Sequence, residues 1–289
     1  MEYDMALFKK DYDRPGKGVS KNEPEKKGFF RFFELYFRNF WLLTSAEFWY
    51  ILLSLPIVTT KECTRIQLRS AETGMAYVCR MAARDKHVFL MSDFFGAIKR
   101  NWKRALPLGI INVLITAVFA ADMYVLYIYF TQDIINKTWG TIILIVSLFF
   151  FVMFSFAKFY QYTLIITFDY KLKTVIKNSW LFSTLGIKHN IIIGGVLMLI
   201  YAAAYFALSV NFKFGMALIV VLGLFIYPAF RAFLIQFNVF PEIRKYIIDP
   251  YYKEHPDEDI EKRRDLGLID YDASEAVFDD DTHFGNKDT

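Results

Sequence analysis

Uninterrupted apolar runs, rather than any alternation of polar and apolar positions, dominate this chain. Four of them fill most of Ala105 to Phe240, and a fifth lies near Phe40 to Val58. The clearest, Thr141 to Ala157, carries no charge. A helix needs roughly 20 apolar residues to cross about 30 Å of hydrocarbon, and there only helices and closed barrels satisfy their own backbone. The two-residue alternation of strands is missing from these runs, so the pattern predicts helices. The expected fold is an all-α polytopic membrane protein with five clear transmembrane helices. They cover Phe29–Val58, Ala105–Phe130, the stretch from Thr138 to about Asp169, Asn190–Val210 and Phe214 to about Tyr246.

Between these spans the pattern changes. Thr60–Arg84 reads as a further helix, but a charged one, half-buried or re-entrant. Met91–Arg104 and Lys171–Ile187 read as two amphipathic interfacial helices. In the first, Phe94, Phe95, Ile98 and Trp102 share a side flanked by Lys99, Arg100, Lys103 and Arg104, which suits an anionic surface. Pro56 ends the best apolar stretch of the first span, and Pro228 predicts a kink in the last. The chain divides into a disordered polar tail over residues 1–28, a helical membrane domain over 29–248 and an acidic tail over 249–289. A short pattern recurs: Ile98-Lys-Arg-Asn-Trp102 is similar to Ile176-Lys-Asn-Ser-Trp180, and Asn112 and Asn190 then fall at equivalent positions. A parallel repeat and chance both account for so few identities.

Basic residues gather on the cytoplasmic side of short loops. Loops with only Lys137 or only Lys213 are expected outside, and the basic stretches Arg80–Arg104 and Lys171–Lys188 inside. The carboxyl terminus is then cytoplasmic. A basic amino-terminal tail places that end inside too, which requires Thr60–Cys79 to return through the membrane or the first span to be re-entrant. The alternative has five full crossings, the tail outside and Thr60–Arg84 on the cytoplasmic face.

Composition sharpens this picture. Of 289 residues, 55% are hydrophobic and 31 are Phe, beyond the usual share for a soluble domain. The net charge of +4 averages unlike regions, so no nucleic-acid partner is expected; the lipid bilayer is the partner the pattern implies. Cys63 and Cys79 lie about 24 Å apart on one helix and cannot pair within it. No metal-ligand spacing, nucleophile–base arrangement or phosphate-binding glycine loop is present, so no enzyme, metal or cofactor is expected.

Ionisable groups inside spans are functional candidates by default, because each basic residue at mid-membrane costs about 2.5–3.5 kcal/mol. Glu47 and Arg231 stand out, with Asp122 and Lys158 nearer the interfaces, where Lys158 can snorkel. Glu62, Arg65, Arg69 and Glu72 share one helical face and can pair among themselves. These six, Glu47, Glu62, Arg65, Arg69, Glu72 and Arg231, form the expected intramembrane polar network. Asp169 is expected to help end its helix, with Asn178 capping or bridging helices nearby.

Leu53-Ser-Leu-Pro-Ile-Val-Thr-Thr60, Ser92-Asp-Phe-Phe-Gly-Ala-Ile-Lys-Arg-Asn-Trp-Lys103, Phe168-Asp169 with Lys177-Asn178, and Tyr227-Pro-Ala-Phe230 occur in this order. Together they resemble the YesL-like family of bacterial integral membrane proteins, domain of unknown function 624, over roughly Phe29 to Ile247. Glu47 replaces an apolar or Asn position of that pattern, and Thr60–Arg84 is more charged than its counterpart. The resemblance implies a bacterial plasma-membrane location and no catalytic residues. It also implies the company of carbohydrate importers of the ATP-binding cassette type. A non-enzymatic accessory role in carbohydrate uptake or sensing is therefore expected, with importer permeases or a sensor kinase as partners. An autonomous small-solute transporter or channel is the alternative.

Overall fold

The computed structural model describes residues 28–54, 64–132 and 136–255, and the side chains of all of these except 64–70. Pro56, Glu62, the tail before Gly28 and the acidic tail from residue 256 lie outside the described residues, as do the side chains of Arg65 and Arg69. Among the described residues every regular element is helical: α1 Phe29–Arg38, α2 Phe40–Ser54, α3 Thr64–Ala83, α4 Leu90–Thr131, α5 Lys137–Thr167, α6 Leu172–Leu185, α7 Ile187–Val210, α8 Phe212–Phe225 and α9 Tyr227–Ile243. A π-helical turn, Arg244–Ile248, then leads into α10, Asp249–Glu254.

Three helices, α4, α5 and α7, are each long and apolar enough to cross a membrane. The pair α8 and α9 passes the same test jointly but is bent by 54°. Side chains such as Ile145, Phe149, Leu199, Phe206 and Val221 stand exposed on these helices. An apolar surface of that extent is stable against lipid, not water. The chain is thus an integral membrane protein. The fifth expected run is α2, whose 15 residues span about 22 Å, less than the hydrocarbon thickness.

Two expected boundaries are corrected. The first apolar run is split at Asn39, whose side-chain amide and backbone N–H both turn back to the Leu35 carbonyl. The amphipathic stretch Met91–Arg104 is not a separate interfacial helix but the first third of the 42-residue α4. Pro107 lies inside that helix. It removes one backbone donor without breaking the rod, as neighbouring helices in a membrane bundle allow. Phe94 and Ile98, expected to face a surface, are instead buried in the core.

The charged helix α3 lies at the centre. It packs on α1, α2, α4, α5 and α9, and from Ala71 to Ala82 most of its side chains are buried. Small residues make this possible. A Cβ on Gly74 would lie 3.0 Å from the Phe94 ring and backbone of α4, so the two helices approach as closely as their backbones permit. The second hairpin is equally close: a Cβ on Gly215 of α8 would come within 2.6 Å of the Ala207 carbonyl of α7.

The offset relating Trp102 to Trp180 carries α4 onto α6 plus α7, and α5 onto α8 plus α9. Asn101 and Ser179 are both buried, as are Asn112 and Asn190. Helix order and burial thus follow the short sequence repeat, but the second unit is interrupted at Gly186 and Ile226 where the first is continuous.

Gly186 joins α6 to α7, and a Cβ there would lie 2.0 Å from the Tyr160 hydroxyl and 3.1 Å from its ring carbon. Gly186→Ala is expected to destabilise the protein by about 1–3 kcal/mol, the usual range for overpacking a tight site. Gly195→Ala on α7, where nothing lies within 4 Å, should leave stability unchanged. Thermal unfolding of the two variants in mild detergent checks the pair.

Candidate functional site

Helices α2, α3, α4, α5 and α9 line a partly open polar cavity of about 320 Å³. Its walls include Tyr50, Glu72, Asn112, Lys158, Tyr162 and Arg231. Glu72 lies 11 residues before the end of α3, Lys158 nine before the end of α5 and Arg231 twelve before the end of α9. At 1.5 Å per residue all three sit roughly 14–18 Å from the helix ends nearest Arg80. That is about half the thickness of a hydrocarbon core.

Each helix contributes for a local reason. The α8–α9 break at Ile226 places Tyr227 and Pro228 in the first turn of α9, where proline's missing N–H is not needed. Arg231 follows one turn later and turns toward α3, with Nη1 3.9 Å from Glu72 Oε1. Tyr50 donates its hydroxyl proton to the same oxygen at 3.0 Å. Lys158 reaches back over the Phe154 ring, 5.5 Å from its centroid, so its stem packs on apolar surface while its head meets the cavity.

A belt of amides and hydroxyls adjoins the cavity. Asn112 donates to Gln161 Oε1 at 2.6 Å, and Gln236 donates to Thr163 Oγ1 at 2.9 Å. All four side chains are buried. Asn112 Oδ1 and Gln236 Oε1 remain without a donor among the described residues. Asn112 contributes to the cavity wall, while its oxygen is buried behind that wall.

Of the expected network, the structure brings together Glu72 and Arg231. Arg65 and Arg69 are on α3, but their side chains are outside the described residues, and Glu62 is outside altogether. Glu47 is not part of this cavity. It is 1% exposed, between α2 and the Ala229 backbone of α9, with Tyr36 and Cys79 as neighbours and no basic side chain paired to it among the described residues. Cys79 also directs its thiol to the Ala229 carbonyl at 3.9 Å. Asp169 follows the end of α5 and pairs with Arg104 at 2.9 Å. Arg104 also donates to the Phe168 carbonyl and to Asn101, so it ties α4 to the α5–α6 connection. Beside it Tyr170 stacks on Phe168, and burial holds its phenol above the ordinary value. Asn178 is half-buried on α6 and makes no side-chain hydrogen bond among the described residues.

Tyr50, Tyr162, Gln161 and Gln236 were not singled out in the sequence, because aromatic and amide residues are common in apolar helices. Spacing holds a usable signal: Tyr162 is one helical turn from Lys158, and residues four apart share a face.

The shared Glu72 oxygen predicts coupling. Glu72→Gln and Arg231→Met are each expected to lower stability by about 1–3 kcal/mol, since each leaves a desolvated partner. The double variant should lose less than the sum. Tyr50→Phe should cost about 0.5–1.5 kcal/mol. Denaturation of the four proteins in one detergent completes the cycle.

Among proteins and structures compared with this chain, no curated protein and no solved structure matches. A family model, described as protein of unknown function DUF624, matches residues 48–123, from the middle of α2 through α3 and most of the way along α4. This is the same family that the ordered motifs resemble, and its matched segment contains Tyr50, Glu72 and Asn112 of the cavity wall.

Proposed function

We propose that this protein is a non-enzymatic accessory component of carbohydrate uptake or sensing at the bacterial plasma membrane, and that it holds a small hydroxyl-rich solute in the Glu72–Arg231 cavity. The observation that carries this reading is the cavity itself. A space of about 320 Å³ at mid-depth of a helix bundle is lined by a carboxylate, a guanidinium, an ammonium and an amide. Planar polar groups with adjacent tyrosine rings supply the directional bonds and apolar faces that a sugar presents in complement. In this reading α2 is a further crossing, α3 returns through the bundle, and both termini lie in the cytoplasm. The basic ends of α3, α4 and α6 support that orientation.

A second reading, an autonomous small-solute transporter, is favoured by the broken pair α8 and α9. Discontinuous helices beside a mid-membrane polar site are a recurring feature of transporters, and Arg231 sits one turn past the 54° bend.

Two measurements separate these. Co-purification from the native membrane in gentle detergent, with mass spectrometry, should recover importer permeases or a sensor kinase in stoichiometric amount. Recovery of the protein alone, together with solute flux in proteoliposomes, would support the transporter instead. Equilibrium binding of radiolabelled monosaccharides and disaccharides to the protein in nanodiscs tests the cavity directly. Glu72→Gln should weaken binding roughly tenfold, the loss of one charge-assisted hydrogen bond. Absence of binding by every sugar tried would refute the solute assignment.

A further inference from the structure

The end of the bundle where α4 begins and α5 and α9 finish carries a basic face. Lys99, Arg100 and Lys103 stand exposed on α4, and Lys171, Lys173 and Lys177 stand exposed just before and along α6. Arg104 joins the two groups, because it reaches from α4 to the Phe168 carbonyl and to Asp169, just ahead of α6. Among the described residues none of the six makes an ion pair. The acids nearby are engaged elsewhere: Asp169 with Arg104, Glu242 with His189, Asp249 with Arg244, and Asp93 with the backbone N–H of Phe89.

The face is not uniformly charged. Trp180 and Leu181 stand exposed on α6 close to Lys177. The chain leaves the described residues from this same end. The Phe182 ring of α6 lies 6.4 Å from that of Tyr246 in the π-helical turn, and α10 carries the chain on to Glu254. Farther along the sequence, Asp265–Asp281 holds seven acids and no basic residue. Leu266, Leu268, Ile269, Tyr271, Val277 and Phe278 are interspersed among those acids.

We propose that Asp265–Asp281 of this same chain docks on the basic face formed by α4 and α6. Charge complementarity favours that occupant: a run of acids without a base meets a run of cations without carboxylates. The apolar residues between the acids match Trp180 and Leu181. Reach is ample. Asp265 lies ten residues beyond His255, and ten extended residues cover about 33 Å, more than the roughly 21 Å length of the 14-residue α6. Tethering also places the acids at an effective concentration in the millimolar range, which a free partner has to match. Anionic lipid headgroups are the competing occupant. They are less well placed, because Lys99 is six residues before Ala105, where the apolar part of α4 begins, and so stands about 9 Å farther from the hydrocarbon. A docked segment covers this face, and any other acidic partner must displace it.

The test is zero-length carbodiimide coupling of carboxylates to lysine amines in the full-length protein, one copy per nanodisc, with mass spectrometry of the linked peptides. The nanodiscs contain equal parts phosphatidylglycerol and phosphatidylcholine. Links from Asp265–Asp281 to Lys99, Lys103, Lys173 and Lys177 should exceed links to Lys137 and Lys213, at the opposite end of the bundle, roughly tenfold. In about 1 M salt, where charges are screened beyond about 3 Å, that excess should disappear. Asp279→Asn, Asp280→Asn and Asp281→Asn combined leave every described residue unchanged. They should lower the links made by Asp270, Asp272 and Glu275 roughly fivefold. Equal linking at the two ends of the bundle, or none to α4 and α6, would overturn the proposal. So would links that form in phosphatidylcholine alone and vanish once phosphatidylglycerol is present, since lipid headgroups would then occupy the face.

Discussion

A charged helix surrounded on every side by other helices is the constraint from which the rest of this structure follows. Helix α3 places Glu72 and Arg80 among helices that otherwise carry exposed apolar faces. Buried charges of this kind are tolerated only when partners reach them, because their desolvation costs several kcal/mol per ion. Three of its neighbours, α2, α9 and α5, bring a polar group to α3: Tyr50 and Arg231 to Glu72, and Thr167 to Arg80. The alanines, the threonine and Gly74 of α3 let those neighbours approach closely enough to do so.

Much of the fold was legible because the physics of hydrocarbon is unforgiving. The runs that became α4, α5 and α7 are each long enough to cross a membrane, and in hydrocarbon a helix satisfies their backbone. What the pattern could not convey was continuity. The expected boundary near Arg104 lies inside α4, and Asn39, expected inside the first span, is a break, whereas the kink expected at Pro228 corresponds to the 54° bend at Ile226. Apolarity has the same reading for a straight helix and a bent one. The difference is decided by what packs alongside, as at Gly186, where the Tyr160 hydroxyl occupies the space a side chain would need.

The candidate site was half legible for a related reason. Glu72 and Arg231 announce themselves because charge is expensive in a membrane, and the structure places them together. The same argument grouped Glu47 with them, yet it faces α9 and Cys79 instead. Cost marks a residue as noteworthy but does not say which helix it will meet. Tyr50, Tyr162 and the two glutamines are cheap to bury once bonded, so nothing in the sequence set them apart. The two tyrosines nevertheless help turn one ion pair into a polar cavity.

The length of α4 carries a mechanical consequence. Its 42 residues make a rod of about 63 Å, roughly twice the hydrocarbon thickness. A single stiff lever thus runs from Thr131 at one face to Leu90 at the other, and Arg104 clamps its basic part to the end of α5. A change in bilayer thickness alters how such a lever tilts, and the tilt moves Asn112 in the cavity wall.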